Sequence, residues 1–290
     1  MRLQPDPRLA LVIATLLWAS SFIALKWAFD VYHPNWVIAG RMLVALACFS
    51  LFYRQILRFQ YRQGDWKVLV IMSACEPCLY FIFESQALLY TSATQAGMMT
   101  AMAPVLTAAV AFVFLGERLT RRNGLGFGLA AIGVIWLTLA GSEDQHAPNP
   151  LLGNTLELLA MLCAAVYGVC LKLLSKRYSA LTLTSLQAAV GSLFFVPLAA
   201  VSEQTWVLDW SGIGAIVYLG ACVTLGAYLL YNYAVSQIPL TQAVIYVNLI
   251  PVFTAIMAML LLGERLNGYQ WLAAILVMAG VFLGQDKKRI

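Results

Sequence analysis

Glu76, Tyr80 and Glu84 stand four residues apart inside an otherwise apolar stretch, 68–90. Each step of four turns about 40° around a helix, so the three groups form one slowly drifting stripe. Two carboxylates and a phenol on one stripe suit the holding of a proton or of a cationic ligand group. Pro77 adjoins Glu76. It removes a backbone hydrogen bond there and is expected to open or bend that turn, which makes it a hinge candidate.

Placed in a membrane, this stretch has its middle near Leu79. At 1.5 Å per residue Glu76 lies about 4.5 Å inward of that level and Glu84 about 7.5 Å outward. Arg41, in the stretch 35–53 that runs the other way, falls about 4.5 Å outward of its own middle. Arg41 and Glu84 therefore read as a structural ion pair, the usual way a membrane tolerates charge. Glu76 has no basic residue at its depth. It is expected either to bind a proton and a cationic substrate group alternately, or to stay protonated against a neighbouring carbonyl.

Further polar residues sit inside apolar stretches: Tyr228, Tyr231 and Asn232 in one, Tyr246 and Asn248 in the next. Side chains this polar usually face the bundle interior or a wet cavity. Trp18, mid-stretch beside Ser20 and Ser21, joins them. The expected substrate-binding set is Trp18, Glu76, Tyr80, Glu84, Tyr228, Tyr231, Asn232, Tyr246 and Asn248, with Glu76 as the proton-coupling group. Met98 and Met102 are expected to pack, and Trp206 and Trp271 to anchor at the interface. Glu157, four residues into its stretch, is expected to snorkel to water, with Lys26 as a candidate partner.

Enzyme chemistry finds little support. His33 and His146 are 113 residues apart in loops, so neither a metal site nor a Ser-His-Asp arrangement is expected. Cys75 and Cys78 form a CxxC within an apolar stretch and read as packing residues. No cofactor is implied.

The elements that must position these groups follow from composition. Hydrophobic residues make up 62% of the 290 and charged ones 11%, too little polar side chain to cover a soluble globule. The surplus must face lipid. Met1 to Arg8 leads straight into an apolar run, so no removable leader is expected. Spanning runs fall at 9–29, 35–53, 68–90, 93–115, 124–141, 153–174, 180–201, 211–232, 240–262 and 268–284. With the N-terminus in the cytoplasm, 15 of the 18 Lys and Arg, from Arg2 to Arg289, fall in cytoplasmic segments. Arg265 is then the lone basic residue of the outer loops. That bias predicts ten spans in the inner (plasma) membrane with both termini cytoplasmic. The net charge of +5 marks topology and not a nucleic-acid surface.

The chain also resembles itself. Pro104 and Pro251, Thr94 and Thr241, Glu117 and Glu264, and Gly133 and Gly280 are each 147 residues apart. Ala-Pro-Val-Leu-Thr-Ala at 103–108 answers Ile-Pro-Val-Phe-Thr-Ala at 250–255, and Leu-Gly-Glu-Arg-Leu occurs at both 115–119 and 262–266. Five spans per half is odd, so the second half enters the membrane in the opposite sense. The halves are 1–141 and 153–290, joined by an outer linker at 142–152. Inverted halves are a device of secondary transporters, which expose a midplane site to each side in turn. Pro104 and Pro251 are expected to kink equivalent helices as hinges. Glu117, Arg118, Glu264 and Arg265 fit a local role at helix ends.

The doubled Pro-Val-(Leu/Phe)-Thr-Ala block, with its Leu-Gly-Glu-Arg-Leu ending, resembles the EamA repeat of the drug/metabolite transporter superfamily. Trp18-Ala19-Ser20-Ser21-Phe22 resembles the family's opening motif, and Val166-Tyr167-Gly168 is its weaker echo. The resemblance implies an all-α membrane protein, a ten-helix basket around a central cavity, without an ATP-binding domain. It implies proton-driven export of a small metabolite or amphiphilic cation. Protons, membrane lipid and the small-molecule substrate would be its partners, and no nucleic acid; the chain would act as a monomer or homodimer. A flippase for a lipid-linked intermediate and a non-transporting membrane protein are the rival readings.

Overall fold

The computed structural model describes residues 6–56, 60–115, 120–140, 147–204 and 207–284. Arg2, Glu117, Arg118, His146, Trp206 and Arg289 lie outside the described residues. Every regular element described is helical. Besides a four-residue helix at Tyr53–Ile56, these are, in chain order, α1 (Pro7–Phe29), α2 (Pro34–Ser50), α3 (Trp66–Tyr90), α4 (Ala93–Phe114), α5 (Arg121–Leu139), α6 (Pro150–Leu174), α7 (Ala180–Ala200), α8 (Trp210–Gln237), α9 (Leu240–Leu261) and α10 (Gly268–Gly284). Eight of them are long and apolar enough to cross a membrane. The other two, α2 and α10, are apolar helices of 17 residues each. Each apolar run read from the sequence overlaps one of these helices.

Starts and stops have local causes. Asp6, Ser92, Asn149, Ser179 and Asp209 each accept a backbone N–H of the first helical turn. They satisfy donors that a helix N-terminus leaves free. Helix α8 runs five residues beyond the apolar run at 211–232. It stops at Ile238, which adopts the extended conformation (φ −122°, ψ 163°) that a following proline, Pro239, imposes.

Three helices are interrupted near a proline. In α3 the segment Ala74–Leu79 departs from regular winding, and Glu76 is extended (φ −144°, ψ 118°), as the residue before Pro77 prefers to be. The Glu76–Pro77 peptide is cis. In α4 a tighter turn at Thr100–Met102 precedes the segment that carries Pro104. In α9 Asn248 separates Leu240–Val247 from Leu249–Leu261, which carries Pro251. Proline early in a new segment loses no hydrogen bond, because those N–H groups have no acceptor in the helix.

Packing comes in matched pairs. Helix α1 packs on α8 and α9, while α6 packs on α3 and α4; α2 packs on α8 while α7 packs on α3. The pairs α2–α7, α4–α9 and α5–α10 complete the bundle. Helices α5 and α10 come closest. A Cβ on Gly126 would lie 2.2 Å from the Gly284 nitrogen, and one on Gly280 would lie 2.4 Å from the Ala130 nitrogen. Only glycine permits that approach, which raises the dispersion contact that holds helices together in lipid.

Polar contacts between elements near helix termini form two groups. In one, the Tyr32 hydroxyl donates to the Val207 carbonyl, the Asn149 N–H to the Tyr90 carbonyl, and the Ala93 and Thr94 N–H groups to Glu264. In the other, Arg177 pairs with Asp65, Arg122 donates to the Leu283 carbonyl, and Lys172 donates to the carbonyls of Val235 and Ile238. Large apolar side chains such as Phe114, Leu139, Leu193, Leu260 and Ile275 point outward, where lipid would meet them.

Candidate substrate cavity

Trp18 of α1, Arg41 of α2, Glu76, Tyr80 and Glu84 of α3, and Tyr228 and Tyr231 of α8 line one interior cavity of about 70 Å³. That is room for a handful of waters. The interruption in α3 faces it. Of the nine expected binding residues, six are brought together here: Trp18, Glu76, Tyr80, Glu84, Tyr228 and Tyr231.

An aromatic wall forms one side. The Trp18 ring lies 5.3 Å from that of Tyr228, edge on at 72°, and 4.9 Å from that of Tyr231. Tyr228 also meets Phe81 at 6.4 Å. One phenol reaches a carboxylate, the Tyr80 hydroxyl donating to Glu84 Oε1 at 2.8 Å, and Tyr228 lines the cavity together with Glu76.

The expected Arg41–Glu84 ion pair is not formed. Arg41 Nε donates to Thr224 Oγ1 of α8 at 2.9 Å, and its guanidinium lies 4.4 Å from the centre of the Phe81 ring. Matched depth brought the two charges to one level, but each side chain turned toward its own neighbours. Arg41 is 1% exposed and Glu84 3%, so water does not solvate them. Arg41 Nη1 and Glu84 Oε2 have no hydrogen-bond partner among the described residues.

Three expected binding residues lie elsewhere. Asn232 faces α6 and α7, accepting from the Tyr167 hydroxyl and donating to Thr184 Oγ1 at 2.9 Å and Gln187 Oε1 at 3.2 Å. Its polarity serves interhelical packing. Tyr246 packs against the apolar core. Asn248 sits at the interruption of α9, buried, with neither amide atom bonded among the described residues. Tyr246 and Asn248 are absent from the cavity lining because the face of α9 that reaches it carries Val244, Val247 and Ile250.

Glu157 departs further from expectation. It is fully buried, 0% exposed, with both oxygens unbonded among the described residues. It does not snorkel; α6, which carries it, is packed against α3 and α4. Met98 and Met102 pack in a second apolar cluster, and Met98 borders a lateral groove instead of the central cavity. Cys75 and Cys163 are free thiols. Phe81, Thr224 and Tyr167 had no distinguishing position in the sequence, although Tyr167 belongs to the repeated opening motif. Their roles arise from the helices they face.

A bundle of apolar helices that encloses buried charges and aromatic rings beside broken helices has the build of a multi-pass membrane transporter. Residues 8–139 and 151–284 each match the EamA-like transporter family, and the chain belongs to it. Among relatives, it is 29% identical to the uncharacterized transporter YetK of Bacillus subtilis, over 78% of this chain and 69% of that one. It is 28% identical to an uncharacterized transporter of Archaeoglobus fulgidus, over 97% of both chains. It is 25% identical to a protein of Streptantibioticus cattleyicolor described as a probable terminal-alkyne amino-acid exporter, over 94% of this chain and 91% of that one. A solved crystal structure with 19% identity superimposes at a TM-score of 0.70 over 96% of this chain and 95% of that chain, which establishes a shared fold.

Proposed function

We propose that this transporter is a secondary active exporter, driven by protons, of a small metabolite or amphiphilic cationic compound. It works by alternating access between two inverted halves, 1–141 and 153–290, joined at 142–152. Its ten helices span the inner membrane with both termini in the cytoplasm, and it acts as a monomer or homodimer.

The observation that carries this reading is the cavity itself: Glu76 and Glu84 buried against Trp18, Tyr228 and Tyr231, beside the interrupted α3. Buried carboxylates give a proton and a cationic cargo a common binding place, the requirement for exchanging one against the other. The matched packing, in which contacts of α1–α5 are answered by contacts of α6–α10, supports two related halves. Glu76 is the coupling group, and Pro77, Pro104 and Pro251 mark where the helices bend as the cavity opens from one side to the other. The relative described as an amino-acid exporter supports the outward direction.

A flippase for a lipid-linked intermediate is the second reading. It is favoured by an apolar lateral groove of about 500 Å³ between α4, α9 and α10, bordered by Met98, Pro251, Met259 and Trp271. Flux of a solute panel into proteoliposomes, with and without an imposed pH gradient, tests both. Gradient-dependent solute flux supports the exporter. Lipid translocation without solute flux supports the flippase, and neither supports a non-transporting protein.

A further inference from the structure

We propose that Glu157 is a second proton site of this transporter, passing protons between the polar cluster around Asn154 and the cavity carboxylate Glu84. It rests on the proton-driven reading above and adds the route by which the proton reaches the cavity.

Helices α3 and α6 run antiparallel in close contact. The Asn149 N–H, just before α6, donates to the Tyr90 carbonyl at the end of α3. A Cβ on Gly153 would lie 2.6 Å from Thr91 Cβ and 2.9 Å from the Ala87 carbonyl oxygen. One turn further along α6, about 6 Å at 1.5 Å per residue, Glu157 comes level with Glu84. The two carboxyl groups interact electrostatically across this contact, and Glu157 also interacts with the Tyr80 phenol.

Polar groups and the cavity lie on either side of Glu157 along one face of α6. Asn154 accepts from Thr91 Oγ1 at 2.8 Å and donates to Gln95 Oε1 at 3.0 Å and Thr138 Oγ1 at 3.2 Å. Met161 lines the central cavity together with Glu84. Residues 154, 157 and 161 share a face because steps of three and four each make about one helical turn. Under the proposed topology the Asn154 cluster is on the outer side, where a proton-driven exporter takes protons up.

A carboxyl group that held helices together would bond something. Glu157 is fully buried, yet both its oxygens are unbonded among the described residues, as is Oε2 of Glu84. Burial without a bond carries a desolvation cost and brings no packing that an apolar side chain would not give. A proton is the one ligand that needs no added room. Two carboxyl groups at one level of a low-dielectric interior oppose joint ionisation, so one proton is readily shared between them. The surrounding ionisable groups are few. From α3 come Glu84, which also interacts with Arg41 of α2, and Tyr80, which donates to Glu84. Helix α4 has none, and α5 has them only in its first turn, at the end opposite Thr138. Helix α9 offers Tyr246, packed in the apolar core, and α8 places Tyr228 and Tyr231 at the cavity. On α6 itself the nearest is Cys163.

The test labels the purified full chain in lipid nanodiscs with dicyclohexylcarbodiimide, an apolar reagent that adds to protonated carboxylic acids. Labelled peptides are read by mass spectrometry across a pH series. Wild-type Glu157 is expected to label at low pH and to lose labelling through a midpoint as pH rises. Labelling that does not change with pH, or none at any pH, overturns the inference. The wild-type series needs no substitution, so it decides the matter even where a variant fails to fold. Coupling is read reciprocally, at Glu157 in Glu84→Gln and at Glu84 in Glu157→Gln. Whichever group ionises second is expected to show a midpoint lowered by at least about one pH unit. Two unmoved midpoints would overturn the transfer to Glu84. In proteoliposomes Glu157→Gln is expected to slow flux driven by a pH gradient at least about tenfold, while downhill exchange persists; unslowed flux would overturn the route. Labelling that titrates without any wild-type flux would overturn the transport reading and leave the proton site standing. Gradient-driven wild-type flux with labelling that ignores pH would do the opposite.

Discussion

Glu264, in the loop after α9, accepts the backbone N–H groups of Ala93 at 2.9 Å and Thr94 at 2.8 Å in the first turn of α4. A carboxylate from the second half of the chain thereby closes the N-terminus of a helix in the first. Charge-assisted bonds to a helix N-terminus combine hydrogen bonding with the favourable end of the helix dipole. Glu264→Ala is expected to lower stability by about 1–3 kcal/mol, read as a lower thermal midpoint in detergent. Glu264→Gln, which keeps an acceptor but loses the charge, should fall between. An unchanged midpoint in both would mean that this contact does not stabilise the fold.

The coupling role proposed for Glu76 predicts a specific loss. Glu76→Gln keeps the size and an acceptor oxygen but carries no titratable proton. Solute flux in proteoliposomes should lose its response to an imposed pH gradient while downhill exchange persists. Wild-type pH dependence in this variant would rule out Glu76 as the coupling group.

Glu157 offers the reverse case, a buried polar group with no bonded partner among the described residues. Replacing it by an apolar side chain of similar length removes a desolvation cost without breaking a bond. Glu157→Met is therefore expected to raise stability by about 1–3 kcal/mol. A lowered thermal midpoint would mean that the carboxyl group holds the bundle together.

The contact of α5 with α10 leaves no room for side chains at Gly126 and Gly280. Gly126→Leu would meet backbone atoms, which cannot swing aside as a flexible side chain does. Overpacking against backbone is expected to cost more than about 3 kcal/mol, seen as loss of monodisperse protein on size exclusion. Normal elution and an unchanged melting profile would contradict the close approach.

Topology is open to direct labelling. Lys176, next to the Asp65–Arg177 end, and Arg265, next to the Glu264 cap, are both exposed. Single cysteines at these positions, in a background without other cysteines, should react with a membrane-impermeant maleimide from opposite sides. Lys176→Cys is expected to label from the cytoplasm and Arg265→Cys from outside. Labelling of both from one side would end the inverted-repeat reading.

Amino-acid order alone determined how the chain divides. Lipid demands runs of about 20 apolar residues, so the helix intervals were legible, and the 147-residue spacing of Pro104 and Pro251 placed two of the three proline-linked interruptions. Pro77 placed the third, since the residue before a proline leaves the helical conformation. The stripe of Glu76, Tyr80 and Glu84 was readable because helical periodicity carries these residues to one face. Rise per residue also gave the level of each charge.

Level is one coordinate, and contact needs two more. Arg41 and Glu84 share a depth, yet the rotation of α2 about its axis and its packing on α8 turned Arg41 toward Thr224 and Phe81. Glu157 lies in the outer part of its run, where a lone helix would expose it, yet it is buried in α6, which packs on α3 and α4. Asn232 meets Tyr167, Thr184 and Gln187 because three helices converge there. Which side chains meet depends on helix azimuth and neighbour choice, which many weak contacts set jointly and no local pattern encodes.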